Sequence, residues 1–126
     1  MRIAVVVVRV LLGLIFVILG LNGFYAFLPE PPIPGDAGIF LGILMKTHYV
    51  YLTTGIQVIA GVMLLANRYV VLALVLLAGE LLNILTYHIT MMPQGLPLPI
   101  IVTILWFVVA WSVRANVAPL FVRKVD

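Results

Sequence analysis

No cysteine occurs in this chain, and charged residues make up only 9% of it. The missing thiols exclude a structural disulfide, a thiolate metal site and dithiol exchange. They also set aside the quinone-linked disulfide oxidases and vitamin K epoxide reductases, small four-helix membrane enzymes that work through cysteine pairs. His48 and His88, with a single carboxyl at membrane depth, make a poor donor set for haem or a metal. So few charges cannot solvate a soluble domain, in which about 25% is usual. The hydrophobic fraction is instead 65% and the mean hydropathy +1.30, the composition of an integral membrane protein. A chain of 126 residues holds about four spans of roughly 20 residues, with no room for a soluble catalytic module. Its net charge of +3 does not point to nucleic acid, because the cations lie near the ends of apolar runs and report topology.

Breakers divide the chain into an all-α bundle of four transmembrane helices. The first span is read over residues 3–28 and stops at Pro29, Pro31, Pro32 and Pro34, which cannot continue a helix. It is too long for a signal-peptide core and lacks a small-residue cleavage site, so it is read as retained. Residues 37–46 are apolar but too short to cross, which predicts an interfacial or re-entrant helix with Asp36 as its N-cap. The remaining spans are read over 49–66, 69–92 and 96–113. Asn67-Arg68 forms the turn between the second and third, and Pro97 and Pro99 fall in the first turn of the fourth. Arg2, Arg68, Arg114, Arg123 and Lys124 then share one side, opposite Glu30, Asp36 and Lys46. The positive-inside rule puts both termini in the cytoplasm.

The polar residues within the spans are where function is sought, because an ionisable group at membrane depth costs several kcal/mol unless something offsets it. Gln57 lies eleven residues before Arg68 and Glu80 twelve after it, so at about 1.5 Å per residue both reach the midplane and can meet. Glu80, Asn83 and Tyr87 follow an i, i+3, i+7 stripe that should face protein, with His88 on its flank. Glu80 is expected to be paired or protonated. Arg9 can reach inward toward Glu80 or snorkel to the headgroups. Asn22 and His88 lie equally far from the cytoplasmic arginine of their own spans, which predicts a polar outer chamber near Lys46 and His48, under the proline-rich loop. The plainer reading of Asn22, Gln57, Asn83, Thr86 and Thr103 is interhelical hydrogen bonding that fixes the packing. For Tyr25, Tyr49, Tyr51, Tyr69, Trp106 and Trp111 it is interfacial anchoring. Gly13, Gly20, Gly23, Gly55, Gly61 and Gly79 are read as sites of close helix approach.

Two stretches carry a family resemblance. Arg9-Val10-Leu11-Leu12-Gly13-Leu14-Ile15-Phe16 with Gly20-Leu21-Asn22-Gly23-Phe24, ahead of the proline-rich loop, resembles the first helix of DoxX-like membrane proteins. Gly61-Val62-Met63-Leu64-Leu65-Ala66-Asn67-Arg68-Tyr69, then Ala73-Leu74 and the run from Asn83 to His88, is similar to the turn and third helix of the same family. The chain departs from that pattern in having Gln57 where many members carry glutamate, and Gly79-Glu80 where proline is common. Its acidic group thus stands on the third span rather than the second.

The resemblance implies a small four-helix protein of a bacterial inner membrane, linked to redox systems. It suggests a non-catalytic subunit or accessory protein of a respiratory or electron-transfer complex. The implied partners are the bilayer and other membrane subunits, and the implied cofactor is a quinone. Arg9, Asn22, Gln57, Glu80, Asn83, Tyr87 and His88 are the candidate binding residues. The alternatives are a proton-coupled small transporter using the intramembrane glutamate, and a purely structural assembly subunit.

Overall fold

The computed structural model describes residues 2–25 and 32–125. Among these residues the regular structure is entirely helical. The α-helices are α1 (Ile3–Phe24), α2 (Gly35–Lys46), α3 (Val50–Ala66), α4 (Val70–Met91), α5 (Pro97–Ser112) and α6 (Arg114–Val117), with 3-10 turns at Pro93–Gly95 and Ala118–Phe121. Helices α1 and α4 have 22 residues each and are long and apolar enough to cross a membrane. At 1.5 Å per residue each is about 33 Å long, against a hydrocarbon core of about 30 Å. Helix α3, of 17 residues, and α5, of 16 residues, are shorter. Helix α2 makes an angle of 84° with α3, and the segment Arg114–Phe121 makes one of 86° with α5. The described chain therefore has two helices that can cross a membrane, or four if each bent pair forms one span.

Helix α1 packs against α3 and α5, and α4 packs against the same two. Leu12, Phe16, Ala60, Leu64, Leu74 and Leu77 fill the interior, while Leu11, Ile18, Ile59, Leu72 and Ile104 lie exposed on the outer faces. Apolar residues on both the inner and outer faces suit helices whose surroundings are hydrocarbon. The α1–α3 seam is antiparallel: Arg9 meets Leu64, Gly13 meets Gly61, and Phe24 stacks on Tyr51 at a centroid distance of 4.9 Å. A Cβ on Gly13 would lie 2.9 Å from the Gly61 carbonyl oxygen, and one on Gly61 2.8 Å from that of Gly13. Glycine at both positions lets the backbones touch. Gly79, by contrast, faces open space, so its expected part in close packing is not met.

The expected element order holds, with local differences. The helix of the first run ends at Phe24, and residues 26–31 of that run and its loop lie outside the described residues. Helix α2 starts at Gly35, directly after Pro34, so Asp36 sits inside the first turn and does not cap. There its carboxylate still opposes the positive end of the helix dipole. The turn from α3 to α4 forms at Asn67, whose left-handed φ of 55° ends α3 while its N–H and that of Arg68 donate to Leu64 and Met63. Asparagine tolerates that conformation. Pro97 opens α5, where a missing N–H costs little.

Candidate functional site

Glu80, on α4, is 8% exposed. Its Oε1 accepts a hydrogen bond from Gln57 Nε2 of α3 at 3.2 Å. The meeting predicted from equal distances to Arg68 is therefore made: the tight turn at Asn67 folds α3 and α4 antiparallel, and residues equidistant from it come level. The carboxyl is not sealed by this contact, since Glu80 also lines a cavity of about 560 Å³ between α2, α3 and α4. Asn83, Thr53 and Thr47 supply the other polar groups, and Phe40, Ile43, Leu52 and Ile56 the apolar wall. Ile43, Tyr49 and Leu52, at the rim, are each more than half exposed, so the cavity opens sideways.

His88 belongs to a different place. It lines a cavity of about 300 Å³ together with Phe16 and Leu19 of α1, Ile84 of α4, and Leu98, Pro99 and Val102 of α5. Its Nδ1 lies 2.8 Å from the Ile84 carbonyl oxygen. A carbonyl only accepts, so Nδ1 carries a proton and in the neutral ring Nε2 is left as an acceptor. The chain after α4 closes over this ring at Gly95, where a Cβ would come within 2.8 Å of the imidazole Cδ2. The single polar chamber predicted for the outer layer is corrected here: the surroundings of His88 are apolar, and Lys46 and His48 are exposed on α2 and its following turn. Asn22 is half-buried on α1, and residues 29–31, the start of the proline-rich loop expected above it, lie outside the described residues.

Tyr87 stands between the two cavities. Its ring stacks on Phe40 of α2 at 5.8 Å and meets His88 edge-on at 4.9 Å, while its hydroxyl donates to the Met92 sulfur at 3.6 Å. The expected stripe faces protein only in part, because Glu80 is buried, Tyr87 half-buried and Asn83 exposed at the cavity wall. At about 100° per residue, Asn83 and His88 point about 60° and 80° to opposite sides of Glu80. Helix α4 thereby turns Asn83 and His88 to different cavities.

Arg9 neither snorkels nor reaches Glu80. It is 8% exposed, and its Nη1 donates to the Leu64 carbonyl in the last turn of α3. A cation there offsets the negative end of the α3 dipole. Gln57 and Leu64 are separated along α3 by about 10 Å, which places Arg9 well away from the carboxyl, and no ion pair between Arg9 and Glu80 occurs among the described residues. The Arg9 Nε is buried without a partner.

Two of the expected interhelical hydrogen bonds are local instead: Thr86 donates to Leu82 and Thr103 to Pro99, each at 2.7 Å and within its own helix. A threonine hydroxyl satisfies itself this way whenever the preceding turn is helical. Trp106 is also corrected. It is half-buried, and its Nε1 donates at 2.9 Å to the Leu74 carbonyl across the α4–α5 seam, whereas Trp111 is 69% exposed as an anchor would be. The part of Phe40 as the wall between Glu80 and Tyr87 has no signal in the sequence, because it depends on the angle at which α2 leaves α3. No family model, curated protein or solved structure matches this chain.

Proposed function

We propose that this chain is a DoxX-like membrane subunit whose α1, α3, α4 and α5 form a four-span bundle, both termini cytoplasmic and α2 lying at the outer interface. Its interior receives the ring of a lipid-soluble quinone beside Glu80, and the redox chemistry belongs to a partner subunit of the same membrane. The observation that carries this reading is the hydrogen bond between buried Glu80 and half-buried Gln57, with Glu80 on the wall of a sideways-opening, largely apolar cavity. Its volume of about 560 Å³ falls in the range of small-molecule sites, roughly 300 to 1,000 Å³. A quinone ring presents oxygens at its edge and apolar faces, and the residues fit it: Glu80 and Asn83 offer polar groups at one end, Phe40 and Ile56 the flat apolar wall. An isoprenoid tail would leave past Leu52 into lipid.

When bound, the quinone supplies an electron and proton carrier. Glu80 holds a proton close to a ring oxygen, Gln57 orients the carboxyl through its amide, and the apolar wall excludes water from the exchange. Burial of a carboxyl at this depth is costly for packing alone, which favours a working role. The sideways opening also supports the transporter reading, in which an apolar cation displaces the proton of Glu80.

The test is to purify the full chain in mild detergent, identify what accompanies it, and extract the bound lipid. A co-purifying redox partner and a quinone retained by wild type but lost from Glu80→Leu would support the reading. A lone chain without quinone that releases protons on adding a lipophilic cation would replace it with the transporter.

A further inference from the structure

A third cavity, of about 750 Å³, lies away from Glu80, between the first turns of α1 and the last turns of α5. Its polar mouth is formed by Arg2, Ser112 and Arg114, and its wall by Ile104, Phe107 and Val108. None of its described lining residues is acidic. Two cations thus converge on one groove without a carboxylate among those residues to neutralise them, at a site where the first helix and the α5–α6 bend meet.

Arg114 is held in place: its Nη1 donates to the Trp111 carbonyl at 2.8 Å, and its guanidinium carbon stands 4.6 Å over the Trp111 ring. One of five N–H donors is used in this way, so the remainder can serve a ligand. Below this mouth the wall is apolar and open, with Ile104 58% and Phe107 62% exposed. Along α5 the step from Ile104 to Ser112, at the mouth, is about 12 Å, somewhat less than half the thickness of a bilayer's hydrocarbon. The segment that begins at Arg114 turns 86° away from α5, as a chain reaching the membrane surface would.

We propose that this groove is a binding site for one anionic phospholipid, its phosphate held by Arg2 and Arg114 and one acyl chain lying along Ile104 and Phe107. Charge selects the headgroup, since clustered cations at the end of a span attract anionic lipid. The wall selects a lipid over a free anion, because an inorganic phosphate would leave the apolar half of the groove empty. The proposal rests on the membrane reading of α1 and α5 but not on a quinone at Glu80.

Native mass spectrometry of the full chain, released from nanodiscs of mixed phosphatidylglycerol and phosphatidylcholine, tests it. Wild type should retain one phosphatidylglycerol in preference to phosphatidylcholine, and the double variant Arg2→Gln, Arg114→Gln should lose that preference by roughly tenfold or more. Arg68→Gln, a cation outside the groove, should leave it unchanged, and millimolar inorganic phosphate should not displace the lipid. Equal retention of the two lipids overturns the proposal, as does an equal loss in Arg68→Gln, which would mean bulk charge alone. Displacement by inorganic phosphate would reduce the site to one for simple anions and overturn the lipid assignment. Arg2 and Arg114 are exposed, so neither substitution should disturb folding, and an unchanged unfolding midpoint verifies this.

Discussion

The seam between α1 and α3 should be the least tolerant surface of the protein, and Gly61→Ala isolates it. The added Cβ would stand 2.8 Å from the Gly13 carbonyl oxygen and 3.0 Å from the Val17 backbone nitrogen. Both are backbone atoms of α1 and cannot rotate away. Relief requires α1 and α3 to separate by about half an ångström, which loosens the contacts of Leu12, Phe16 and Leu64 in a close-packed interior. Overpacking of this kind costs about 1 to 3 kcal/mol. Gly79→Ala is the matched control, because a Cβ there meets nothing within 4 Å. It also exchanges a poor helix former for the best one, a gain of up to about 1 kcal/mol in water-exposed helices. Reversible unfolding in bicelles by added denaturing detergent measures both. Gly61→Ala should unfold at lower detergent than wild type and Gly79→Ala should not. Equal midpoints for Gly61→Ala and wild type would show that the helices are not in backbone contact at Gly13.

Other substitutions separate bonds that cross helix seams from bonds that stay within a helix. Trp106→Phe removes the donor to the Leu74 carbonyl and should cost about 1 kcal/mol in the same assay. Thr86→Val and Thr103→Val should change stability by less than about 0.5 kcal/mol, because their hydroxyls bond only their own helices. Asn67→Val should destabilise by about 1 kcal/mol or more, since a β-branched residue is strained at a φ of 55°, and Asn67→Gly should be close to neutral. Single cysteines placed at Gly35 and Val125 of this cysteine-free chain should react oppositely with an impermeant thiol reagent outside cells, and equal labelling would contradict the four-span topology.

Register across the Asn67 turn was legible in the sequence, while direction around each helix was not. Counting from Arg68 brought Gln57 level with Glu80 because the Asn67 turn is short and the helices on either side run antiparallel. The same count placed His88 in the outer layer, but it could not say that the ring turns toward α1 and α5 while Glu80 turns toward α3. The width of the α4 stripe decides that, and it becomes visible only once both neighbours are in place. Arg9 was misjudged for a related reason. Its partner is a backbone carbonyl near the end of α3, an acceptor that every helix end offers and no residue type announces. Trp106 looked like an anchor by type, yet it lies nine residues into α5 and meets Leu74 within the protein.

A quinone ring seated in the Glu80 cavity should be open to photolabelling there. The purified chain in nanodiscs would be irradiated with a short-chain azidoquinone, and the labelled peptides located by mass spectrometry. Label concentrated on α2, α3 and α4 around Phe40, Thr53 and Asn83, competed by unlabelled quinone and lost in Glu80→Leu, is the predicted result. Label spread over the lipid-facing residues of α1 and α5, unaffected by competitor or by the substitution, would contradict it.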